Sequence, residues 1–257
     1  METLLVERAP NGVVTLTLNR PERKNAMNTA MFNELLAVFR EVDASTSDRV
    51  LVITGAGDAF CSGADLGDRG SDTRPALVRL HWVADIALAL HRIPKPVIAK
   101  VNGVAVGAGM NLALGCDLIV ASDTARFSEI FARRGLSIDF GGSWLLPRLI
   151  GMHRAKELAF FADIISAKEA AELGLVNRVL PASQLDAFVA DWADRLAAGP
   201  PLALSMTKRL LTNSFTTTMD EALEAEGLAQ SVNTATEDTA EAIRAFLEKR
   251  EPRFKGR

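Results

Sequence analysis

The 257-residue chain has few residues that are typical of disulfide or metal sites: two cysteines and three histidines. Cys61 and Cys116 are too few for a disulfide framework, and so low a cysteine content is typical of reducing compartments. His81, His91 and His153 lie far apart in sequence, with no spacing typical of a metal site. We therefore expect neither disulfides nor a bound metal.

An excess of charge and a long apolar run are also missing. The net charge of −3 gives no electrostatic reason to expect binding to nucleic acid or to an anionic membrane. Residues 1–10 (METLLVERAP) lack the basic start and long apolar core of a signal peptide. The uncharged stretch at 101–116 contains four glycines and is short for a bilayer span. We expect a cytoplasmic protein that binds neither nucleic acid nor membrane.

Apolar runs and helical periodicity alternate in the first half of the chain, and helices dominate the second half. The predicted strands cover residues 4–6, 13–18, 50–54, 97–101 and 118–121. The predicted helices include residues 77–92, 110–115, 143–150, 184–197, 219–232 and 238–250. A mobile loop is predicted at 66–75, and Ser166 with Glu169 forms a capping box. Alternating strands and helices without a linker predict a single α/β domain.

Two glycine-rich turns, at residues 55–66 and 102–112, each follow an apolar strand. Small residues let a ligand approach the backbone, and a turn that leads into a helix presents free N–H groups. Two such turns side by side would offer two donors to one oxygen, which is an oxyanion hole. At this point, glycines that only form tight turns are an equal alternative. A dinucleotide site is less favoured, because neither turn is G-x-G-x-x-G after the first strand.

The two turns, FCSGADL (60–66) and VNGVAVGAGMNLALGCDL (101–118), resemble those of the crotonase superfamily, the enoyl-CoA hydratase/isomerase family. Further similar segments follow in the family's order, at residues 125–136, 141–151, 165–181 and 246–257. The resemblance implies an α/β spiral of ββα units over residues 1–195. It also implies a helical C-terminal region, residues 196–257, that forms homotrimers, often paired into hexamers.

The resemblance implies an acyl-CoA substrate, with coenzyme A as part of the substrate and no separate cofactor. The implied oxyanion hole consists of the backbone N–H groups of Ala64 and Ala108. The implied CoA-binding groups are the backbone at Cys61, Ala64, Asp65 and Leu66 and the side chains of Lys24, Lys249 and Lys255.

The sequence departs from the family's hydratases at both of their catalytic glutamates. The matching positions hold Asn111, which cannot take a proton from water at neutral pH, and Phe131, which carries no polar group. We expect both to shape the substrate pocket. Asp139, in apolar company before the helix predicted at 143–150, offers a different acid. Several isomerases of the family carry an aspartate there, and the combination of Asn, Phe and Asp most resembles the ring-epoxide isomerases of phenylacetyl-CoA degradation.

These residues predict an isomerase that shifts a double bond in an unsaturated acyl-CoA, with Asp139 as the single acid/base. One alternative is a 2-enoyl-CoA hydratase with Glu129 as a second acid. On a strand, Glu129 would share a face with Phe131, two residues away. Another alternative is a non-catalytic acyl-CoA-binding protein that has lost the glutamates.

Overall fold

The computed structural model describes residues 1–68 and 74–257. Residues 69–73, which belong to the loop predicted at 66–75, lie outside the described residues. The described strands are β1 (Leu4–Arg8), β2 (Val13–Leu18), β3 (Val50–Gly55), β4 (Ala59–Cys61), β5 (Val97–Val101), β6 (Val104–Val106), β7 (Leu118–Ser122), β8 (Arg126–Ser128), β9 (Ile165–Ser166) and β10 (Arg178–Leu180). They form a six-stranded sheet in the order β1-β2-β3-β5-β7-β10 and a four-stranded sheet in the order β4-β6-β8-β9.

The described helices alternate with strands in the first half of the chain and dominate the second half, as the sequence predicted, and some of them were not predicted. They are α1 (Thr29–Ala44), α2 (Ala76–Arg92), α3 (Ala108–Leu114), α4 (Gly142–Ile150), α5 (Met152–Phe161), α6 (Ala167–Glu172), α7 (Ala182–Ala197), α8 (Pro201–Asn213), α9 (Met219–Thr234) and α10 (Glu237–Glu248). The predicted capping box at Ser166 and Glu169 is confirmed at the start of α6. The sequence patterns missed α5, α8 and the short strands β4, β6, β8, β9 and β10, and β6 lies inside a segment predicted as a turn.

Consecutive strand pairs divide between the two sheets. In the pairs β3–β4, β5–β6 and β7–β8, the first strand joins the large sheet and the second joins the small one. β4, β6 and β8 run parallel to each other. Because parallel strands end at the same edge of a sheet, the turns after Cys61, Val106 and Ser128 meet at one place. This edge positions the candidate site.

The large sheet is buried on both faces, which explains the apolar runs of its central strands. All six residues of β3 are buried. Val50 and Val52 face a cluster with Leu185 and Val189 of α7, whereas the neighbouring residue Leu51 belongs to the main core cluster. Burying one such side chain fully stabilises the fold by about 1.5–3 kcal/mol.

The C-terminal helices carry many exposed apolar side chains, and little of their surface is covered within one chain. The ammonium group of Lys208 on α8 bonds to the side chain of Asp117 and to the backbone oxygen of Lys95, which attaches α8 to the core. The domain division predicted at 195/196 falls within the last turn of α7. Among the described helices, none combines the length and the apolar character that a membrane crossing needs.

Candidate active site

The two glycine-rich turns lie side by side because β4 pairs with β6. A Cβ on Gly63 would lie 2.9 Å from the backbone oxygen of Val106 and 3.8 Å from the backbone nitrogen of Ala108. A Cβ on Gly109 would lie 2.3 Å from the backbone oxygen of Cys61, closer than any real contact. Only glycine therefore allows this packing of the turns.

Two alanines of these turns, Ala64 and Ala108, line one small cavity. Ala108 is the first residue of α3, so its N–H has no acceptor within the helix. Ala64 forms a parallel bridge with Met27, in which Met27 donates to Gly63 and Asp65 donates to Met27. This bridge leaves the N–H of Ala64 unused. Ala64 and Ala108 both line a cavity of about 140 Å³, here called the amide cavity, together with Phe131 and Asp139. Such paired donors fit an oxyanion hole.

The first turn is braced by side chains that approach it from the loop before α1. Arg20 forms a 2.9 Å ion pair with Asp65, whose other oxygen accepts from the N–H of Gly67. Asn25, which the sequence analysis did not single out, is buried and donates to the backbone oxygens of Ala56 and Ala59. The side chain of Asp65 thus supports the loop, and its predicted contribution to CoA binding rests on its backbone.

The other residues predicted to bind CoA around the first turn differ in how far their side chains are exposed to solvent. Cys61 is completely buried, and burial raises the pKa of its thiol to about 12, so it remains a packed thiol. Leu66 is half exposed and lines the amide cavity. The ammonium group of Lys24 is exposed and bonds to both carboxylate oxygens of Asp58, which lowers the pKa of Asp58.

Asp139 lies in a left-handed turn between a 3₁₀ helix (Ile130–Arg134) and α4. Phe140 and Gly141, which follow it, have φ values of 51° and 83°. The buried ring of Phe140 packs against Phe32 of α1, which holds this strained backbone in place. The N–H of Gly142 closes the turn by donating to the backbone oxygen of Asp139.

Asp139 also lines two larger cavities. One, of about 570 Å³, lies beside Phe32 of α1 and Trp82 of α2 and is here called the α1–α2 cavity. The other, of about 650 Å³, lies between α2 and α4 and is here called the α2–α4 cavity. The amide cavity and the α1–α2 cavity share Ala64, Ala108 and Asp139. Asp139 therefore lines both large cavities as well as the amide cavity that Ala64 and Ala108 line.

The lining of the α2–α4 cavity is mostly apolar and includes a histidine that the sequence analysis considered only as a metal ligand. His91 of α2 is half-buried in this cavity, with its ring edge-on to Trp144 at 5.2 Å. Burial lowers the pKa of His91, and the charge of Lys208 lowers it further. The described residues contain no group of three or more His, Cys, Asp or Glu side chains that could hold a metal ion.

Asn111 connects α3 to the Asp139 turn. It is completely buried, and its side-chain nitrogen donates to the backbone oxygen of Asp139 at 2.9 Å and reaches Oε2 of Glu129 at 3.4 Å. Gly142 packs directly on this amide, since a Cβ there would lie 2.4 Å from both Nδ2 and Oδ1. Asn111 also lines the α2–α4 cavity, and its role in shaping the substrate pocket stays a prediction.

Glu129 requires a correction. The sequence analysis put it on a strand, sharing a face with Phe131, but β8 ends at Ser128 and Glu129 precedes the 3₁₀ helix. Phe131 lines the amide cavity, whereas the side chain of Glu129, 1% exposed, turns to Asn111. Burial raises the pKa of Glu129 to about 8; the Asn111 hydrogen bond opposes this rise and the charge of Asp139 adds to it.

The lysines of the C-terminal tail lie away from these cavities in the single chain. Lys255 lies 3.7 Å from Glu237 and lines a separate cavity with Glu241 and Arg250. Lys249 follows α10 in a left-handed conformation. Their contact with CoA phosphates stays a prediction, and in one chain only Lys24 of the predicted lysines lies beside the first turn.

The whole chain can be compared with known proteins. The model of the family described as enoyl-CoA hydratase/isomerase matches residues 8–257. The chain belongs to the enoyl-CoA hydratase/isomerase family. The crotonase fold is shown by similarity to the crystal structure of an enoyl-CoA hydratase from Bacillus anthracis, with a TM-score of 0.94 and 34% identity over 99% of this chain and 100% of that one.

Relatives in the family carry out different reactions. The chain is 38% identical over 262 residues to the 1,2-epoxyphenylacetyl-CoA isomerase of Escherichia coli (strain K12), with both chains covered completely. It is 37% identical over 265 residues to the 2,3-dehydroadipyl-CoA hydratase of the same organism, again over both complete chains. Family membership makes the protein an acyl-CoA enzyme of the hydratase/isomerase type, and its own residues must distinguish between these reactions.

Proposed function

We propose that this protein isomerises unsaturated acyl-CoA thioesters by moving a double bond, with Asp139 as the catalytic acid/base. The proposal rests on one observation: Asp139 is the carboxyl group that lines the amide cavity, while Phe131 beside it carries no polar group. A single carboxylate next to two N–H donors is sufficient for a proton shift but supplies no separate acid for water addition.

The reaction needs only one proton to move. Asp139 takes a proton from C2 of a 3-enoyl thioester, and the electron pair of that C–H bond moves into a dienolate. The negative charge develops on the thioester oxygen, where the N–H groups of Ala64 and Ala108 stabilise it. Asp139 then returns the same proton to C4, the double bond lies between C2 and C3, and the atom count is unchanged.

The substrate is an acyl-CoA whose acyl group occupies one of the large cavities that Asp139 lines. The apolar lining of the α2–α4 cavity and the indole of Trp144 favour an apolar or aromatic acyl group. The similarity to 1,2-epoxyphenylacetyl-CoA isomerase makes a ring-epoxide thioester a second substrate to test. The CoA part would lie along the backbone of the first turn, with its phosphates near Lys24.

We also propose that the working form is a cytoplasmic homotrimer or a dimer of trimers. Exposed apolar side chains are concentrated on α8, α9 and α10, where a second copy would cover them. They are Leu211, Met219, Leu223, Leu228, Val232, Ile243, Phe246 and Leu247. In such an assembly, the tail lysines Lys249 and Lys255 could reach a neighbouring copy's CoA.

A second candidate is hydration of a 2-enoyl-CoA. The buried carboxyl group of Glu129, which contacts Asn111, supports it as a source of the second acid, and so does the similarity to 2,3-dehydroadipyl-CoA hydratase. The remaining alternative, a non-catalytic acyl-CoA-binding protein, predicts binding without turnover.

The test follows the ultraviolet absorbance of the conjugated thioester with two substrates. We expect the absorbance to rise with a 3-enoyl-CoA and to stay constant with a trans-2-enoyl-CoA. Asp139→Asn should lower the rate of this rise by about 10²–10⁴-fold, because asparagine keeps the shape of the side chain but cannot act as a base. Asp85→Asn is the matched control, since Asp85 is exposed on α2 and lines none of the three cavities at Asp139.

Each other outcome contradicts the proposal in a different way. A fall in absorbance with the 2-enoyl substrate would identify a hydratase. Full activity in Asp139→Asn would remove Asp139 from the mechanism. Tight binding of CoA thioesters, without turnover of either enoyl substrate or of the ring-epoxide thioester, would identify a binding protein.

A further inference from the structure

Two buried oxygen atoms behind the candidate site lack a hydrogen-bond donor among the described residues. One is Oδ1 of Asn111 and the other is Oε1 of Glu129. Both belong to side chains that already touch, since Nδ2 of Asn111 lies 3.4 Å from Oε2 of Glu129. Leaving a buried acceptor without a donor is destabilising, so two such atoms at one contact require an explanation.

One proton on Glu129 would satisfy both atoms. An ionised carboxylate only accepts hydrogen bonds, but a carboxylic acid also has one O–H donor. A carboxylic acid can pair with a side-chain amide through two bonds, N–H to C=O and O–H to C=O. The Nδ2–Oε2 contact is one half of this pairing, and a proton on Oε1 would supply the other half for Oδ1 of Asn111.

The charges around Glu129 favour the protonated form. Asp139, from the turn before α4, is the charged group that acts on it, and it repels a second negative charge. Helix α3 contributes Asn111 and has no ionisable residue. His91 of α2 lines the cavity that Asn111 and Asp139 share, and burial disfavours its cationic form.

The cations on the neighbouring elements do not compensate a charge on Glu129. Those of its own 3₁₀ helix, of β8 and of α5 are exposed: Arg133, Arg134, Arg126, His153, Arg154 and Lys156. The guanidinium of Arg133 bonds to Asp163, and that of Arg126 bonds to backbone oxygens. A carboxylate at Glu129 would therefore be buried without a cation from these elements, and among the described residues no cation counts among the causes of its pKa shift.

We propose that Glu129 is protonated in the resting protein and pairs with the Asn111 side chain, which in turn holds the backbone of Asp139. Glu129 is then a positioning residue that acts through Asn111, and its role in turnover rests on the proposed function of Asp139. The protonated pair itself carries no charge. Loss of the proton would break the pairing and add a negative charge beside the place where the enolate develops.

The protonation itself is tested without substrate. We expect infrared difference spectra of the intact protein to show the carbonyl band of a protonated carboxylic acid, which disappears as the pH rises through about 8. This band should be absent from Glu129→Gln and unchanged in Glu157→Gln, an exposed glutamate on α5. The inference would be overturned if the wild-type spectrum at neutral pH showed no carboxylic-acid band that disappears in Glu129→Gln. This result does not depend on what the enzyme catalyses.

The positioning role is tested by kinetics with a 3-enoyl-CoA. Wild-type kcat should fall above about pH 8, and Glu129→Gln should abolish this fall while it keeps neutral-pH activity, because its amide can still donate to Asn111. Glu129→Leu, which cannot pair, should lose about 10²-fold in kcat with KM little changed. Circular dichroism establishes that both variants are folded.

The outcomes separate the two proposals. An alkaline fall that persists in Glu129→Gln, or full activity in Glu129→Leu, would contradict the positioning role. Inactivity of the wild type towards all tested thioesters would contradict the proposed function but would leave the infrared result to decide the protonation of Glu129.

Discussion

The side-chain nitrogen of Asn111 donates a 2.9 Å hydrogen bond to the backbone oxygen of Asp139. Because Ala108 begins the same helix as Asn111, this bond connects a candidate oxyanion donor to the turn that carries the candidate base. The position of the Ala108 N–H group relative to Asp139 is therefore set by the short helix α3 and by the buried side-chain amide of Asn111. The following predictions test this arrangement.

Gly142→Ala should disturb Asn111. The added Cβ would lie 2.4 Å from both polar atoms of the Asn111 amide, so either the amide or the Asp139 turn must move. We expect a loss of about 1–3 kcal/mol in the free energy of unfolding and about 10²-fold in kcat. Urea unfolding and the 3-enoyl-CoA assay measure the two effects.

The control for this substitution is Gly227→Ala. Gly227 is exposed within α9, and a Cβ there meets nothing within 4 Å. Alanine should stabilise this helix by about 0.5–1 kcal/mol and leave activity unchanged. Normal activity in Gly142→Ala would show that the Asn111 contact does not control Asp139.

Ala108→Pro should remove one oxyanion donor. Proline lacks the backbone N–H but is tolerated at the first position of a helix, which Ala108 occupies in α3. Loss of one such donor lowers kcat by about 10²–10³-fold. Ala182→Pro, at the first position of α7, is the matched control and should keep full activity. An active Ala108→Pro enzyme would remove this N–H from the mechanism.

Glu129 should make the stability of the fold depend on pH. Its pKa is about 8 in the folded protein and 4.5 as the ordinary value, so the folded state retains a proton that the unfolded chain releases. Stability should therefore fall as the pH rises from about 4.5 to about 8, with a slope of at most about 1.4 kcal/mol per unit.

Glu129→Gln should lack this slope. Above about pH 8 it should be more stable than the wild type, on the order of 5 kcal/mol, whereas below about pH 4 the two should be similar. Urea unfolding at a series of pH values measures the difference, and Glu157→Gln should behave as the wild type. Parallel curves for wild type and Glu129→Gln would mean that the pKa of Glu129 is not raised.

Lys24→Ala should weaken the binding of the CoA phosphates. The exposed ammonium of Lys24 lies beside the first turn, where it bonds to Asp58. We expect a severalfold rise in KM for a CoA thioester with kcat unchanged, as for a contact made equally in ground and transition states. The matching pantetheine thioester, which lacks the diphosphate-linked nucleotide of CoA, should show no change. An equal rise in KM with both thioesters would mean that Lys24 does not act through the phosphates of CoA.

Much of the fold was predictable because its patterns are local. The hairpin of β1 and β2, the buried strands β3, β5 and β7, and the capping box at Ser166 depend on residues within a few positions of each other. The glycine-rich turns were also recognisable, since each follows an apolar strand. Strands of three residues, such as β4, β6 and β8, have no periodicity of their own and form by pairing with distant segments.

The sequence by itself was sufficient to predict an α/β acyl-CoA enzyme of this family, and its resemblance implied that Asn111 and Phe131 occupy the positions of two hydratase glutamates and that Asp139 offers a different acid. Only the tertiary structure decided that Glu129 contacts Asn111 and that His91 lines a cavity with Asp139. Burial and hydrogen bonding arise between residues far apart in the chain. The protonation of a carboxyl group depends on these surroundings, so spacing along the chain cannot predict it.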